Sequence, residues 1–341
     1  AEATYDEMAK IHPNQLYIIS SNGSYYEKLG QYKKAIKFYK KALEERSMDQ
    51  SVYKGIINSY EKIMEAGDQS VNIRSDYADI CCDYGMIFAK VGAHNEAIEL
   101  YNKAISKYED YVNAYLFLGN SYQAREKHDK AIYSYMEAIK RGKNDVVIYF
   151  NLAEAYKGKG DYENARNTYN EILKKYPNHP YAHYNLAIIY EDSNVFSNAI
   201  ASYKEAIRLN ENYMLAYCGL ARVYAKMGNI SESKSWVEKA MKINEYAAEP
   251  YFEMGNIYIK NGELEKAIKS YTEAFKLDDR LVKLLPEDIR KRYFSHIEIE
   301  SDNIIGYESP ENLEEGTFFA SPELIGFYNV IEEIKELMTS L

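Results

Sequence analysis

The sequence predicts an all-α fold, a solenoid of antiparallel helix pairs, and three observations support this. Similar residues recur at a spacing of 34 over most of the 341-residue chain, and a fixed period of this length is typical of repeat architectures. Within each period, large apolar residues are three or four positions apart, which places them on one face of a helix. The 7 prolines and 17 glycines leave few places where a helix would break.

Columns of small and aromatic residues define the period. Six contiguous units run from 78 to 281, and in most of them two small residues flank an aromatic residue on the second helix. Chance does not produce such columns over six units. The small residues are Ala97, Ala131, Ala165, Ala199, Ala267 and, seven positions on, Ala104, Ala138, Ala206, Ala240, Ala274; the aromatic residues are Tyr101, Tyr135, Tyr169, Tyr203 and Tyr271.

The first helix of each unit carries a second pattern, such as Tyr115-x2-Leu118-Gly119-x2-Tyr122. The small residue of this pattern keeps the helix face shallow, so that the second helix can approach closely. A left-handed cap is expected after the first helix, and only glycine adopts that conformation without penalty. Neither helix buries its apolar face without the neighbouring unit. The capping glycines are Gly92, Gly160, Gly228 and Gly262.

These residues resemble the tetratricopeptide repeat family, whose pattern is an aromatic residue, Leu-Gly, Tyr, Ala, Phe, Ala and Pro over 34 residues. Tyrosine often stands where that pattern has Trp or Phe, which explains most of the 36 tyrosines. The resemblance implies a right-handed superhelix of helix pairs, with C-terminal helices that cap its end. It also implies that the first helices line a concave surface on which ligands bind.

The pattern weakens towards both ends of the chain, which suggests a division into segments. An earlier unit matches through Gly23, Tyr26 and Ala35, whereas the next unit fits poorly because Gln69 falls where a small residue belongs. The predicted segments are an N-terminal leader at 1–15, the solenoid at 16–281 (a repeat at 16–49, a degenerate or shortened unit at 50–77, and six repeats at 78–281), and a capping helix, acidic linker and amphipathic helix at 282–341.

The C-terminal segment is acidic and ends in an apolar stripe. Residues 282–341 hold 13 acidic and 5 basic residues, and no Lys or Arg lies between 293 and 334. The last helix, 321–341, has two interpretations. It caps the solenoid, or it detaches to bind a partner, a second copy or the protein's own groove, which would give self-association or autoinhibition. The stripe is formed by Leu324, Phe327, Tyr328, Ile331, Ile334 and Leu337.

The predicted binding surface follows from the register of the first helices. Its middle part is rich in aromatic and aliphatic residues with asparagines between them, a composition that favours a protein interface. Some of these side chains are instead expected to be buried between repeats. The predicted protein-binding residues are Leu116, Asn120, Val147, Phe150, Asn151, Glu154, Tyr181, Tyr184, Asn185, Ile188, Leu215, Arg222, Phe252 and Asn256.

Two binding modes of the family can be compared with these positions. Some members hold a partner's C-terminal carboxylate with cations and asparagines, but Leu116, Tyr181 and Asn185 stand where the cations are expected, so this mode is rejected. Other members bind an extended peptide through a ladder of asparagines. Here Asn151 and Asn185 supply two rungs, which permits only a short ladder.

Composition and motifs indicate a non-catalytic chain. The net charge of −10 argues against nucleic acid as a partner, and no apolar run reaches the ~20 residues needed for membrane insertion. We expect no cofactor and no metal, because Pro180 interrupts the His179/His183 pair and Cys81-Cys82 lacks a redox spacing. A cytoplasmic location fits the three cysteines, although a removed export signal is also compatible with them.

The sequence therefore predicts a scaffold or adaptor that binds a peptide or helix of a partner protein in a concave groove. Two alternatives remain open. The chain is a regulatory or substrate-recruiting module of a larger enzyme, such as a protein glycosyltransferase, or it is a structural protein that associates with itself through 321–341.

Overall fold

The computed structural model describes residues 16–44, 49–285 and 287–294, and the chain divides into two compact units, 1–159 and 160–341. No described residue belongs to a β-strand. The predicted all-α fold of paired helices is confirmed. The predicted leader, acidic linker and C-terminal amphipathic helix lie outside the described residues.

Unit 1 consists of eight helices in its described part. Consecutive helices pack as antiparallel pairs, and the first helices of adjacent repeats also contact one another. The helices are α1 (Leu16–Lys28), α2 (Tyr32–Glu44), α3 (Gln50–Glu65), α4 (Val71–Lys90), α5 (His94–Lys107), α6 (Val112–Gln123), α7 (His128–Lys140) and α8 (Val146–Gly158).

The segment predicted to be degenerate contains one helix of its own, α3. After it, α4 begins at Val71 and continues for 20 residues into the first of the six regular repeats. The first turns of α4 therefore occupy the place of a second helix. Tyr77, in this part of α4, is fully buried and donates a 2.8 Å hydrogen bond from its hydroxyl to Glu61 Oε1 on α3.

Unit 2 repeats the same arrangement in residues 160–294. Its first helices again contact each other between repeats, as α10 does α12 and α12 does α14. The helices are α9 (Tyr162–Lys175), α10 (Pro180–Asp192), α11 (Phe196–Leu209), α12 (Met214–Lys226), α13 (Ile230–Ile243), α14 (Ala248–Lys260), α15 (Leu264–Leu277), a 3₁₀ helix (Asp279–Leu284) and α16 (Glu287–Tyr293).

Small residues allow the two helices of a repeat to approach, as the sequence predicts. A Cβ atom added at Gly119 on α6 would lie 2.5 Å from Cε1 of Tyr135 on α7. The turns after the first helices have left-handed backbone, with φ values of 78° at Gly92 and 82° at Gly160. Two repeats achieve the same turn without glycine, at Glu126 (φ 55°) and Asn194 (φ 56°).

Helix α16, the last helix among the described residues, covers the last repeat of unit 2. Ile289 and Phe294 are buried there, at 1% and 2% exposure. The Phe294 ring meets the Phe275 ring edge to face, with centroids 5.0 Å apart. Burial of these rings protects the apolar end that the last repeat would otherwise expose to water.

Candidate protein-binding surface

In the regular repeats, the first helices are α4, α6 and α8 in unit 1 and α10, α12 and α14 in unit 2. We call the side of each unit formed by these helices the first-helix face. In unit 1 it is built on a hydrogen-bonded pair of asparagines from consecutive repeats. Asn151 on α8 donates from Nδ2 to Oδ1 of Asn120 on α6 at 2.9 Å. The same oxygen accepts a 2.9 Å hydrogen bond from the hydroxyl of Tyr135, which reaches it from the second helix α7. These two donors fix the Asn120 carboxamide in one orientation.

The oxygen of Asn151 has no donor among the residues that the structure describes, although the residue is only 6% exposed. Burying a carbonyl oxygen without a donor costs about 1–3 kcal/mol. The first-helix face of unit 1 thus holds one unused acceptor beside a fixed amide pair. This oxygen is shielded from solvent, so a ligand on the surface does not reach it.

Large apolar side chains surround this amide pair and stay partly exposed. Leu116 lies one turn before Asn120 on α6, and Val147 lies one turn before Asn151 on α8. Phe150 is likewise only partly buried. These five predicted residues therefore lie on two successive first helices of unit 1, α6 and α8.

The remaining predicted residue of unit 1, Glu154, is paired within its own helix. Its Oε2 lies 2.6 Å from Nζ of Lys157, and the two side chains are 12% and 3% exposed. This ion pair adds no net charge to the surface. The surface around Phe150 is accordingly apolar, with asparagine amides as its polar groups.

In unit 2 most of the predicted binding residues are buried. Tyr181 is the exception, with 39% exposure and its ring stacked on Tyr213 at 5.8 Å, and Leu215 is partly buried. Asn185 donates from Nδ2 to the Tyr181 carbonyl oxygen at 2.9 Å. A ligand on this side of unit 2 would meet few of the predicted side chains. The buried ones are Tyr184, Asn185, Ile188, Arg222, Phe252 and Asn256.

Arg222 belongs to a buried ionic network that links three repeats. Its Nε lies 2.6 Å from Glu191 Oε1 on α10, and its Nη1 lies 2.6 Å from Glu253 Oε1 on α14. Lys226 Nζ adds a 3.2 Å contact to Glu191. The hydroxyl of Tyr203 donates to Glu191 Oε2 at 2.7 Å. The network contains two acids and two bases, so its formal charges cancel.

The two carboxyl groups of this network differ in pKa. Burial disfavours the charged form of both carboxyl groups and so tends to raise their pKa values. At Glu191 the charges of Arg222 and Lys226 outweigh burial and lower the pKa. At Glu253 burial prevails over the single contact with Arg222 and raises the pKa. The Arg222 guanidinium therefore binds carboxylates inside the protein and is not available to a ligand.

Sequence reasoning did not identify Glu191, Lys226 and Glu253 as partners of Arg222. The available signal was a spacing of 31 residues, since Arg222 lies 31 positions from both glutamates. Asn120 and Asn151 are also 31 apart. This spacing joins the first helices of adjacent repeats.

The two histidines and two cysteines compared above with metal and redox sites make contacts inside the fold or are buried in it. His179 caps α10 and accepts a hydrogen bond at Nδ1 from the Ala182 main-chain nitrogen, and His183 Nε2 lies 2.9 Å from the Pro177 carbonyl oxygen. Cys81 and Cys82 are buried, and desolvation raises the pKa of the Cys81 thiol to about 12. A thiol with this pKa is a poor nucleophile at neutral pH.

None of the helices in the described ranges combines the length and the apolar composition that crossing a bilayer would require.

Family models for the tetratricopeptide repeat match this chain along most of the described residues. They cover residues 23–47, 85–146, 150–214, 215–246 and 248–281. No curated protein sequence matches the chain significantly.

Two solved structures show the same fold at low sequence identity. A tetratricopeptide repeat protein from Parabacteroides merdae ATCC 43184 is 16% identical, with a TM-score of 0.55 over 77% of this chain and 97% of that one. PilW, described as a widely conserved type IV pilus biogenesis factor, is 18% identical, with a TM-score of 0.51 over 63% of this chain and 97% of that one. At these identities the similarity concerns the fold.

Proposed function

We propose that this chain, which belongs to the tetratricopeptide repeat family, is a non-catalytic adaptor that binds a peptide of a partner protein on the first-helix face of unit 1. The observation that carries the proposal is the group of partly exposed apolar side chains around the Asn120–Asn151 pair. Exposed apolar residues clustered on one face favour a binding surface.

The surface supplies two kinds of contact. Leu116, Val147 and Phe150 would bury apolar side chains of the ligand, and aromatic residues often contribute most of the energy of such interfaces. The partly exposed amide of Asn120 would donate from Nδ2 to a main-chain carbonyl oxygen and so fix the register of an extended peptide. The proposal differs from the sequence prediction in placing the contacts in unit 1, because most of the corresponding residues of unit 2 are buried.

The test is selection from a random peptide display library against the native chain, followed by affinity measurements with Phe150→Ala. We expect Phe150→Ala to bind the selected peptides at least ten-fold more weakly, since truncating a hot-spot aromatic residue costs about 2 kcal/mol or more. Circular dichroism would show that the variant is folded.

The matched control is Tyr133→Ala, which removes a 64% exposed aromatic ring from the second helix α7 of the adjacent repeat. Tyr133→Ala should bind like the native chain. Equal affinities of all three proteins, or a loss confined to Tyr133→Ala, would contradict the proposal.

A further inference from the structure

Helix α4 in unit 1 carries two exposed carboxylates, Asp79 and Asp83, one helical turn apart. Side chains four residues apart are neighbours on a helix, and like charges at this spacing destabilise it. Neither carboxylate forms an ion pair with any residue in the described ranges. This part of the surface therefore carries uncompensated negative charge.

Nearby groups leave that charge unneutralised. Arg74, earlier on α4, places its guanidinium over the Tyr108 ring at 5.6 Å. Asp79 accepts a hydrogen bond from the hydroxyl of Tyr111, which is neutral. Partial desolvation by the surrounding protein and then the charge on Asp79 raise the pKa of Asp83, although its side chain remains accessible. Among the residues that the structure describes, no cation offsets these two effects.

An aromatic pair lies next to the carboxylates. The Tyr53 ring on α3 stacks on Tyr84 of α4, with centroids 4.9 Å apart and planes at 7°. Burial and then the charge of Asp83 raise the pKa of Tyr53, so the two side chains are close in space. The hydroxyl of the buried Tyr84 has no hydrogen-bond partner among the described residues. Carboxylates beside aromatic rings are the surroundings that arginine and lysine side chains prefer.

The carboxylates and the proposed peptide surface lie on the same side of unit 1. Asp79 and Asp83 occupy the repeat positions that Val147 and Asn151 occupy two repeats, or 68 residues, later. Helix α4 contacts α6, and Tyr111, which bonds to Asp79, immediately precedes α6. A ligand lying across the first helices would meet the carboxylates at one end and the apolar group around Phe150 at the other.

From this arrangement we infer that Asp79, Asp83 and Tyr53 bind an arginine or lysine side chain of the peptide that occupies the first-helix face of unit 1. The inference rests on the proposed function and specifies its partner as a peptide that is both basic and apolar. The chain's own C-terminal segment has the wrong chemistry for this end of the surface, because it lacks Lys and Arg from 293 to 334. Carboxylates would repel it.

The experiment uses the same random peptide library with the native chain and with Asp79→Asn/Asp83→Asn. The native chain should enrich peptides in which Arg or Lys stands at a fixed distance from an apolar residue. The variant should lose that enrichment and bind the selected basic peptides about three- to ten-fold more weakly. The affinity of the native chain should fall with added salt, and that of the variant should depend on salt less.

The control is Glu96→Gln/Glu99→Gln, which removes two exposed carboxylates from the second helix α5 of the same repeat. It should bind like the native chain. Asp79→Asn/Asp83→Asn should be no less stable in urea than the native chain, because it removes a like-charge pair. A weaker binder of unchanged stability separates recognition from a structural role.

Two results overturn the inference. In one, the selected peptides show no preference for Arg or Lys, but their binding still depends on Phe150. That result contradicts the inference and agrees with the proposed function. In the other, the preference persists in Asp79→Asn/Asp83→Asn. If no peptide binds in a Phe150-dependent way, the proposed function itself fails, and the inference fails with it.

Discussion

The tyrosines of the second helices do more than fill the core. Tyr39, Tyr135, Tyr203 and Tyr271 each donate a hydrogen bond of 2.7 to 2.9 Å from the hydroxyl to a polar side chain on a first helix. Phenylalanine in the same place would fill the space but leave the acceptor without its donor. This explains why tyrosine replaces the phenylalanine of the repeat pattern at these four positions.

Removing one of these hydroxyls should cost most where its acceptor is buried. Tyr203→Phe takes a donor from Glu191, which is 2% exposed, and we expect about 1.5–3 kcal/mol lower free energy of unfolding, as for hydrogen bonds to charged groups. Tyr39→Phe is the control, because its acceptor Glu27 is only partly buried and can bind water instead. Urea denaturation measures both. Equal losses would contradict this account of the buried network.

Arg222 should be essential to the buried network, with an effect that depends on pH. Arg222→Met leaves Glu191 and Glu253 as buried, poorly compensated carboxylates, and removing one member of a buried ion pair costs about 3–5 kcal/mol. Without Arg222 the folded-state pKa of both acids rises above the unfolded value. The charged form then destabilises the fold at neutral pH, and protonation relieves the loss as pH falls.

The measurement is the free energy of unfolding of Arg222→Met and of the native chain between pH 7 and pH 5. The deficit of the variant should shrink towards pH 5. A deficit that stays constant over this range would show that packing, and not charge, is what Arg222 contributes.

At the scale of elements, one small residue decides how closely a helix pair packs. Gly119→Ala would force a Cβ to 2.5 Å from the Tyr135 ring, and overpacking of this kind costs about 1–3 kcal/mol. Gly158→Ala is the control. Its Cβ would also lie 2.5 Å from a ring atom, Cε1 of His128, but that imidazole is partly exposed and can turn away, whereas Tyr135 is 1% exposed. Alanine also favours the helix by up to about 1 kcal/mol. Thermal unfolding should separate the two variants, and a destabilised Gly158→Ala with a neutral Gly119→Ala would contradict the packing account.

At the scale of the whole molecule, a repeat stabilises mainly its neighbours. Phe294→Ala removes a buried ring that packs on Phe275 and Tyr271 at the end of unit 2. We expect faster amide hydrogen exchange in α14 and α15, with unchanged exchange in α5 and α6 of unit 1. Exchange that rises equally in both units would mean that the chain unfolds as one cooperative block.

The repeat period was sufficient to predict the fold, because the spacing of small and aromatic residues reflects packing within each helix pair. It predicted the left-handed turn at Gly160 but not the equivalent turns at Glu126 and Asn194, where no glycine marks the position. The sequence indicated a degenerate or shortened unit at 50–77, but not that α4 continues across the expected boundary at 78 without a break.

The binding surface was harder to predict than the fold. The register predicted both Phe150 in unit 1 and Arg222 in unit 2 as binding residues on first helices, yet Arg222 is buried and Phe150 is partly exposed. The burial of Arg222 arises from contacts with the preceding and the following repeat, whose Glu191 and Glu253 enclose it. The 34-residue period shows which positions are equivalent in each repeat. It does not show which side chains of adjacent repeats, 31 residues apart, contact each other.

The central claim, that the first-helix face of unit 1 binds a peptide, is tested most directly by photo-crosslinking in the source cells. Benzoyl-phenylalanine would replace Leu116 or Val147 on that face, and Tyr133 or Met136 on the exposed side of α7. The account predicts the same crosslinked partner from positions 116 and 147 and none from positions 133 and 136. A partner captured only from positions 133 and 136 would contradict it.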